Sequence, residues 1–166
     1  MNTVASRQPP LHEQLLLQAI TVASDARSHG NHPFGALLVD HEGRVRLTAE
    51  NTVVSGSDAT GHAETNLVRQ ATACFSADEL NRTSLYSSAE PCAMCAGAIY
   101  WSGIGTVVYA LAETALYEII GDDPQNPTLL LPCRTVFAAG RRAVTVVGPF
   151  DLEPARGVHA GFWRPQ

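Results

Sequence analysis

The chain has 166 residues, 45% of them apolar and 16% charged, with a formal net charge of −5. That length suits one domain spanning 1–166, because two separate cores would each be small for independent stability, and the composition excludes wholesale disorder and fibrous repeats. Its 11 basic residues are all Arg, against 16 acids, so no broad cationic surface for a phosphate backbone is expected and nucleic acid is not an expected partner.

The stretch Met1–Pro10 holds no apolar segment of the secretory kind, and no run nears the roughly 20 apolar residues of a membrane span. Four cysteines (Cys74, Cys92, Cys95, Cys133) are too few for a disulfide scaffold at this size. The reducing cytoplasm is therefore the expected location, and no membrane contact is expected.

After Pro10, Leu11 to Ser28 predicts a helix, with Leu11, Leu15, Ala19, Val22 and Ala26 at three- and four-residue steps and Gly30-Asn31 closing it. Phe34 to Val39 is an apolar strand, and a turn at His41-Glu42-Gly43-Arg44 returns the chain into Val45–Ala49 as a hairpin. Asn51 to Gly61 is rich in Ser, Thr, Gly and Asn and predicts mostly loop. His62 to Phe75 follows as a helix, with Leu67, Val68, Ala71 and Phe75 on one side and Cys74 expected in the core.

Ser84–Ser88 predicts a strand, and Pro91–Trp101 a helix with proline at an early position. Thr106–Leu111 is another strand and Glu113–Ile120 another helix. A loop at Asp122–Pro127 leads to a short helix at Cys133–Ala138, a strand at Ala143–Val147 and a last helix starting near Glu153-Pro154. Strands alternating with helices imply an α/β layer structure with parallel pairing in the second half. Cys133 is expected to be structural.

Two short segments carry the chemistry: His62-Ala63-Glu64 and Pro91-Cys92-Ala93-Met94-Cys95. A catalytic zinc site takes three N and S ligands and leaves its fourth position to water. Cys92 and Cys95, three apart in a first helical turn, point the same way, and the helix N-terminus favours thiolate. His62 supplies a third ligand from the start of another helix, and Glu64 is left to meet the water and the substrate. Alone, the C-x-x-C could be a redox pair or half of a structural zinc site, but no second pair completes one. The combination of H-x-E with a later P-C-x-x-C is the signature of zinc deaminases.

From Leu11 to Asp123 the chain resembles the zinc-dependent nucleobase and nucleoside deaminases, of cytidine-deaminase-like fold. The resemblance is densest in Pro33-Phe34-Gly35-Ala36, Asn51, His62-Ala63-Glu64 and Pro91 to Ile99. It implies a three-layer α/β/α fold with a five-stranded mixed sheet, a small-molecule base or nucleoside as substrate, and a homodimer or larger assembly. It also implies zinc held by His62, Cys92 and Cys95. Zinc-bound hydroxide would then attack the amine-bearing ring carbon, with Glu64 carrying protons to the ring and to the departing ammonia.

Substrate-binding positions follow with alternatives. Asn51 matches a family position whose amide contacts the substrate, or it ends a strand in a turn. Ala63 is grouped with it, and Phe34 either walls the ring pocket or belongs to the core. Bacterial guanine deaminases resemble Ala98–Trp101 and carry an acid matching Asp123, which would accept purine N–H groups, or Asp123 is a solvated loop acid at a helix end before Pro124; Ile120-Gly121 departs from their pattern. Trp163 either caps the pocket, as terminal aromatics do in relatives, or anchors the last helix. Guanine is the expected substrate, ahead of cytosine or another aminated heterocycle. A tRNA adenosine deaminase and a zinc-stabilised interaction module without turnover are the alternatives.

Overall fold

The computed structural model describes residues 10–163; of the stretch read for a leader segment, all but Pro10 lies outside them. Five strands form one sheet in the order β2-β1-β3-β4-β5: β1 (Gly35–Val39), β2 (Val45–Glu50), β3 (Ser84–Ala89), β4 (Thr106–Leu111) and β5 (Thr145–Val147). β1 pairs antiparallel with β2 and β3, whereas β3–β4 and β4–β5 are parallel. The sheet is mixed, and its parallel part lies in the second half of the chain.

Because successive strand residues face opposite sides, β1 feeds two cores. Leu37 and Val39 meet Leu16 and Ile20 of α1 (Leu11–Ser28), together with Leu116 of α6 (Glu113–Ile120) and Ala155 of α8 (Glu153–Gly157). Ala36 and Leu38 face Leu67 of α3 (Ala63–Cys74), Ile99 of α5 (Ala93–Ser102) and Phe137 of α7 (Cys133–Ala138). Helices cover both faces, so the architecture is three-layered. α1 lies directly on β1 at Gly35, where a Cβ would stand 2.8 Å from the Val22 carbonyl carbon and closer still to Ala19 O and Ala23 N.

Several expectations change in detail. The buried face of α1 runs through Leu15, Leu16, Ala19, Ile20, Ala23 and Ala26, leaving Leu11 exposed, because the helix abuts β1 from Ala19 onward. One turn of helix, α2 (Val53–Gly56), sits inside the expected loop. A further helix, α4 (Ala77–Asn81), was overlooked; its signal is the capping box in which Ser76 and Glu79 satisfy each other's backbone N–H groups. Cys74 is exposed rather than core. Cys74 is in register with Leu67 and Ala71 on the inward face, but it is the last residue of the helix and stays exposed there. Phe75 leaves the helix and is half-buried under the Arg46 guanidinium, 5.1 Å away. Cys133 is buried, as expected.

Candidate active site

The sheet brings four helix starts or loops to one end. His62 is the N-cap of α3 and Glu64 lies in its first turn; Cys92 is the N-cap of α5 and Cys95 lies one turn on. Pro91 therefore precedes the cap, where it cannot prolong the strand. β3 and β4 are parallel, so α5 and α6 both start at strand C-terminal ends, the usual place for a site in an open α/β sheet.

The three expected ligands converge. Nδ1 of His62 lies 3.6 Å from Cys92 Sγ and 3.5 Å from Cys95 Sγ, and the sulfurs are 3.6 Å apart. A tetrahedral ion with Zn–S near 2.3 Å and Zn–N near 2.05 Å requires edges of about 3.8 Å between sulfurs and about 3.6 Å between nitrogen and sulfur. The side chains fit zinc without rearrangement. No other group of three His, Cys, Asp or Glu among the described residues comes as close together.

Electrostatics point the same way. The Cys95 thiol, and then the His62 ring, hold the Cys92 thiol down to about 4, while burial acts against them. Cys95 moves far upward because it keeps the proton that Cys92 shares and is buried itself. His62 is raised, first by its hydrogen bond to Cys92. The trio favours a thiolate at Cys92, and a coordinating cation would take over the role of the shared protons.

Glu64 stands beside this cluster. Ser87 of β3 donates its hydroxyl to Oε1 at 2.9 Å, and Oε2 lies 3.5 Å from Cys95 Sγ. One oxygen is fixed and the other faces the metal site. Burial raises the Glu64 pKa, with the Cys92 charge adding to it and the His62 charge opposing. A carboxyl raised from its usual range is suited to taking up a proton and giving it back.

A cavity of about 330 Å³ opens onto the cluster, lined by His62, Glu64 and Cys92 and also by His32, Phe34, Glu90, Met94, Glu113, Gln125 and Leu129 among others. Of the expected substrate residues, only Phe34 is in that lining. Asn51 is buried nearby, its Oδ1 accepting from Val53 N–H at 3.0 Å and its N–H donating to Phe34 O at 3.0 Å. Ala63 turns its methyl into the core and leaves its N–H, the first of α3, without a helical acceptor. Asp123 is 3% exposed and accepts from Gln125 N–H at 2.8 Å. Its charge raises the pKa of His32, which burial lowers first.

Trp163 does not cap the cavity. It lies one layer back, its ring 5.2 Å from His32 and 6.3 Å from Phe34, and donates Nε1–H to His159 Nδ1 at 3.1 Å. The physical reason is its register after α8, which sends the indole into the core beside α1.

Three titratable lining residues, His32, Glu90 and Glu113, are not marked by the sequence motifs. Glu90 directly precedes the Pro-Cys pair, and its signal was that position. Its oxygens accept from Glu113 N–H at 3.1 Å and Cys133 N–H at 3.0 Å, tying the starts of α6 and α7 to the end of β3. His32 and Glu113 carry no motif. Glu113 is pushed up to about 7, by burial first and then by the negative charges around it.

Comparison with known proteins places this geometry. Residues 9–111 match the family model "Cytidine and deoxycytidylate deaminase zinc-binding region". A protein of Schizosaccharomyces pombe named probable cytosine deaminase is 39% identical over 148 residues, which is 89% of this chain and 90% of that protein. The guanine deaminase of Bacillus subtilis is 39% identical over 113 residues, 68% of this chain and 72% of its own. Its crystal structure superposes with a TM-score of 0.60 over 64% of this chain and 68% of that one. A solved complex with 8-azaguanine, 27% identical, covers 89% of this chain and 81% of that one with a TM-score of 0.73. The chain therefore belongs to the cytidine and deoxycytidylate deaminase family, zinc-dependent enzymes that remove an amine by hydrolysis.

Proposed function

We propose that the chain hydrolytically deaminates a free nucleobase, with guanine as its preferred substrate. The carrying observation is the cavity lining: it contains Glu64, Glu90 and Glu113 and, among the described residues, no Arg or Lys. Such a lining suits a neutral ring rich in N–H groups and repels a phosphate. The Bacillus relative and the neighbours solved with 8-azaguanine and 2,6-diaminopurine support a purine.

His62, Cys92 and Cys95 are the residues that would hold zinc. Bound there, zinc would supply the Lewis acidity that makes water a nucleophile near neutral pH. Glu64 accepts a proton from the attacking water at Oε2 and delivers it to a ring nitrogen; it then takes the remaining hydroxyl proton of the tetrahedral adduct and gives it to the amine, which departs as ammonia as the carbonyl forms. Ser87, on Oε1, keeps that carboxylate facing the reacting carbon throughout. Phe34 presents an apolar wall to the ring, and the Ala63 N–H offers a donor to a ring oxygen or nitrogen.

A second reading, cytosine, is favoured by one observation: the Schizosaccharomyces relative matches over 148 residues and 90% of its length, against 113 residues and 72% for the Bacillus relative. Ammonia release by the zinc-loaded enzyme decides between them, using guanine, cytosine, adenine and their nucleosides. Guanine turned over fastest supports the first reading and cytosine the second. Release only from tRNA adenosine, falling steeply with salt, overturns both.

Homodimerisation through α5 belongs to the same proposal. Trp101 on that helix is 85% exposed, and Met94 is both exposed and at the cavity. Sedimentation at twice the chain mass tests it. Two cysteines assigned to zinc and two left as thiols suit a reducing cytoplasm as the place of action.

A further inference from the structure

Three carboxylates line the cavity, and two are accounted for. Glu64 is held by Ser87, and Glu90 accepts two backbone N–H groups. Glu113 is engaged through its backbone alone. Among the described residues no group donates a hydrogen bond to its carboxylate and no cation pairs with it, although it is only 9% exposed. The charges nearest to it are mostly like its own: Cys92, Glu90 and Glu64, with His62 the one opposing.

A mostly buried carboxylate without protein partners has acceptor capacity left unmet. Here the missing partners can come from one direction, the cavity that Glu113 lines. What fits is a set of neutral N–H donors on a planar ring, since a carboxylate accepts two in parallel.

We propose that Glu113 is a specificity-determining residue whose carboxylate accepts hydrogen bonds from an N–H group of the bound heterocycle other than the amine that leaves. This rests on the nucleobase reading for the class of ligand. It makes the free base the preferred ligand over any form substituted at the nitrogen that Glu113 reads, a nucleoside included.

The test is calorimetric binding to zinc-loaded protein carrying Glu64→Ala, which stops turnover, with and without Glu113→Gln. The probes are guanine, cytosine, and each of them methylated at one ring nitrogen at a time. Glu113→Gln is expected to weaken the parent base about tenfold or more, with zinc content and melting temperature unchanged. At least one methylated form is expected to bind about tenfold more weakly than its parent beside Glu113, and to lose that difference beside Gln. A steric penalty or a merely structural role would keep the ratio the same in both proteins. Glu113→Asp, which keeps the charge and shortens its reach, gives the same readout if the Gln variant does not fold.

Equal affinity for the parent bases with Glu113 and Gln, unchanged methylation ratios, or no binding of either base overturns the proposal. Ammonia release by the Glu64 enzyme separates it from the functional reading. Turnover with Glu113-independent binding removes this proposal alone, and Glu113-dependent binding without turnover removes the functional reading alone.

Discussion

His159 supports the cavity from behind, and its titration should set the protein's resistance to acid. The ring is 1% exposed, packs 5.2 Å from Phe34 and stacks on Trp163. Its Nδ1 accepts from Trp163, so its proton is on Nε2, which has no partner among the described residues. Burial, helped by the Arg27 charge, lowers the pKa from 6.5 to about 4. As pH falls the unfolded chain takes up this proton first. The stability contributed is therefore whole above pH 6.5 and is lost on descending through the window to about 4. Between pH 7.5 and 5.0 the two pKa values give a loss of about 2 kcal/mol.

His159→Phe removes the titration and keeps a ring against Phe34, at the cost of an unpaired Trp163 N–H that does not depend on pH. Urea unfolding of both proteins at the two pH values, followed by tryptophan fluorescence, isolates the effect. The wild type should lose about 2 kcal/mol more than the variant on acidification. Stability differences between the two proteins that agree within about 0.5 kcal/mol at both pH values would refute the reasoning.

Glu64→Ala should keep zinc and thermal stability while turnover falls by at least about a thousandfold; metal analysis and ammonia release check it, and retained activity removes Glu64 from the mechanism. Gly35→Ala should destabilise by about 3 kcal/mol, because its methyl meets the backbone of α1 rather than a side chain that can move; a melting temperature within a degree or two of wild type would contradict that packing. In the native zinc-loaded protein a thiol reagent should label Cys74 first. Cys133 is buried with its pKa pushed up to about 12, and peptide mapping that finds it labelled ahead of Cys74 would contradict this assignment.

How much was legible in the chain depends on whether a signal is local. The α1 boundaries are marked by Pro10 and the Gly30 turn, and they fall as expected. The metal set was legible because spacing within a helix start fixes direction: a residue at the cap and one a turn on must point together. α4 was equally local and was passed over despite its Ser76–Glu79 box. Cys74 shows the limit of periodicity, since it shares the face of Leu67 and Ala71 yet, as the helix's last residue, stays exposed.

Chain order and residue type alone determined that an imidazole, two thiolates and a carboxylate open two helices of an α/β protein, and so determined the chemistry. Only the folded sheet decided what surrounds them. Glu90, Glu113 and His32 come from three separate segments and meet at one cavity because parallel β3 and β4 release the chain on the same side. Trp163 stays in the core beside that cavity, a matter of depth. Depth depends on how layers stack across the core, and no spacing along a single chain encodes that distance.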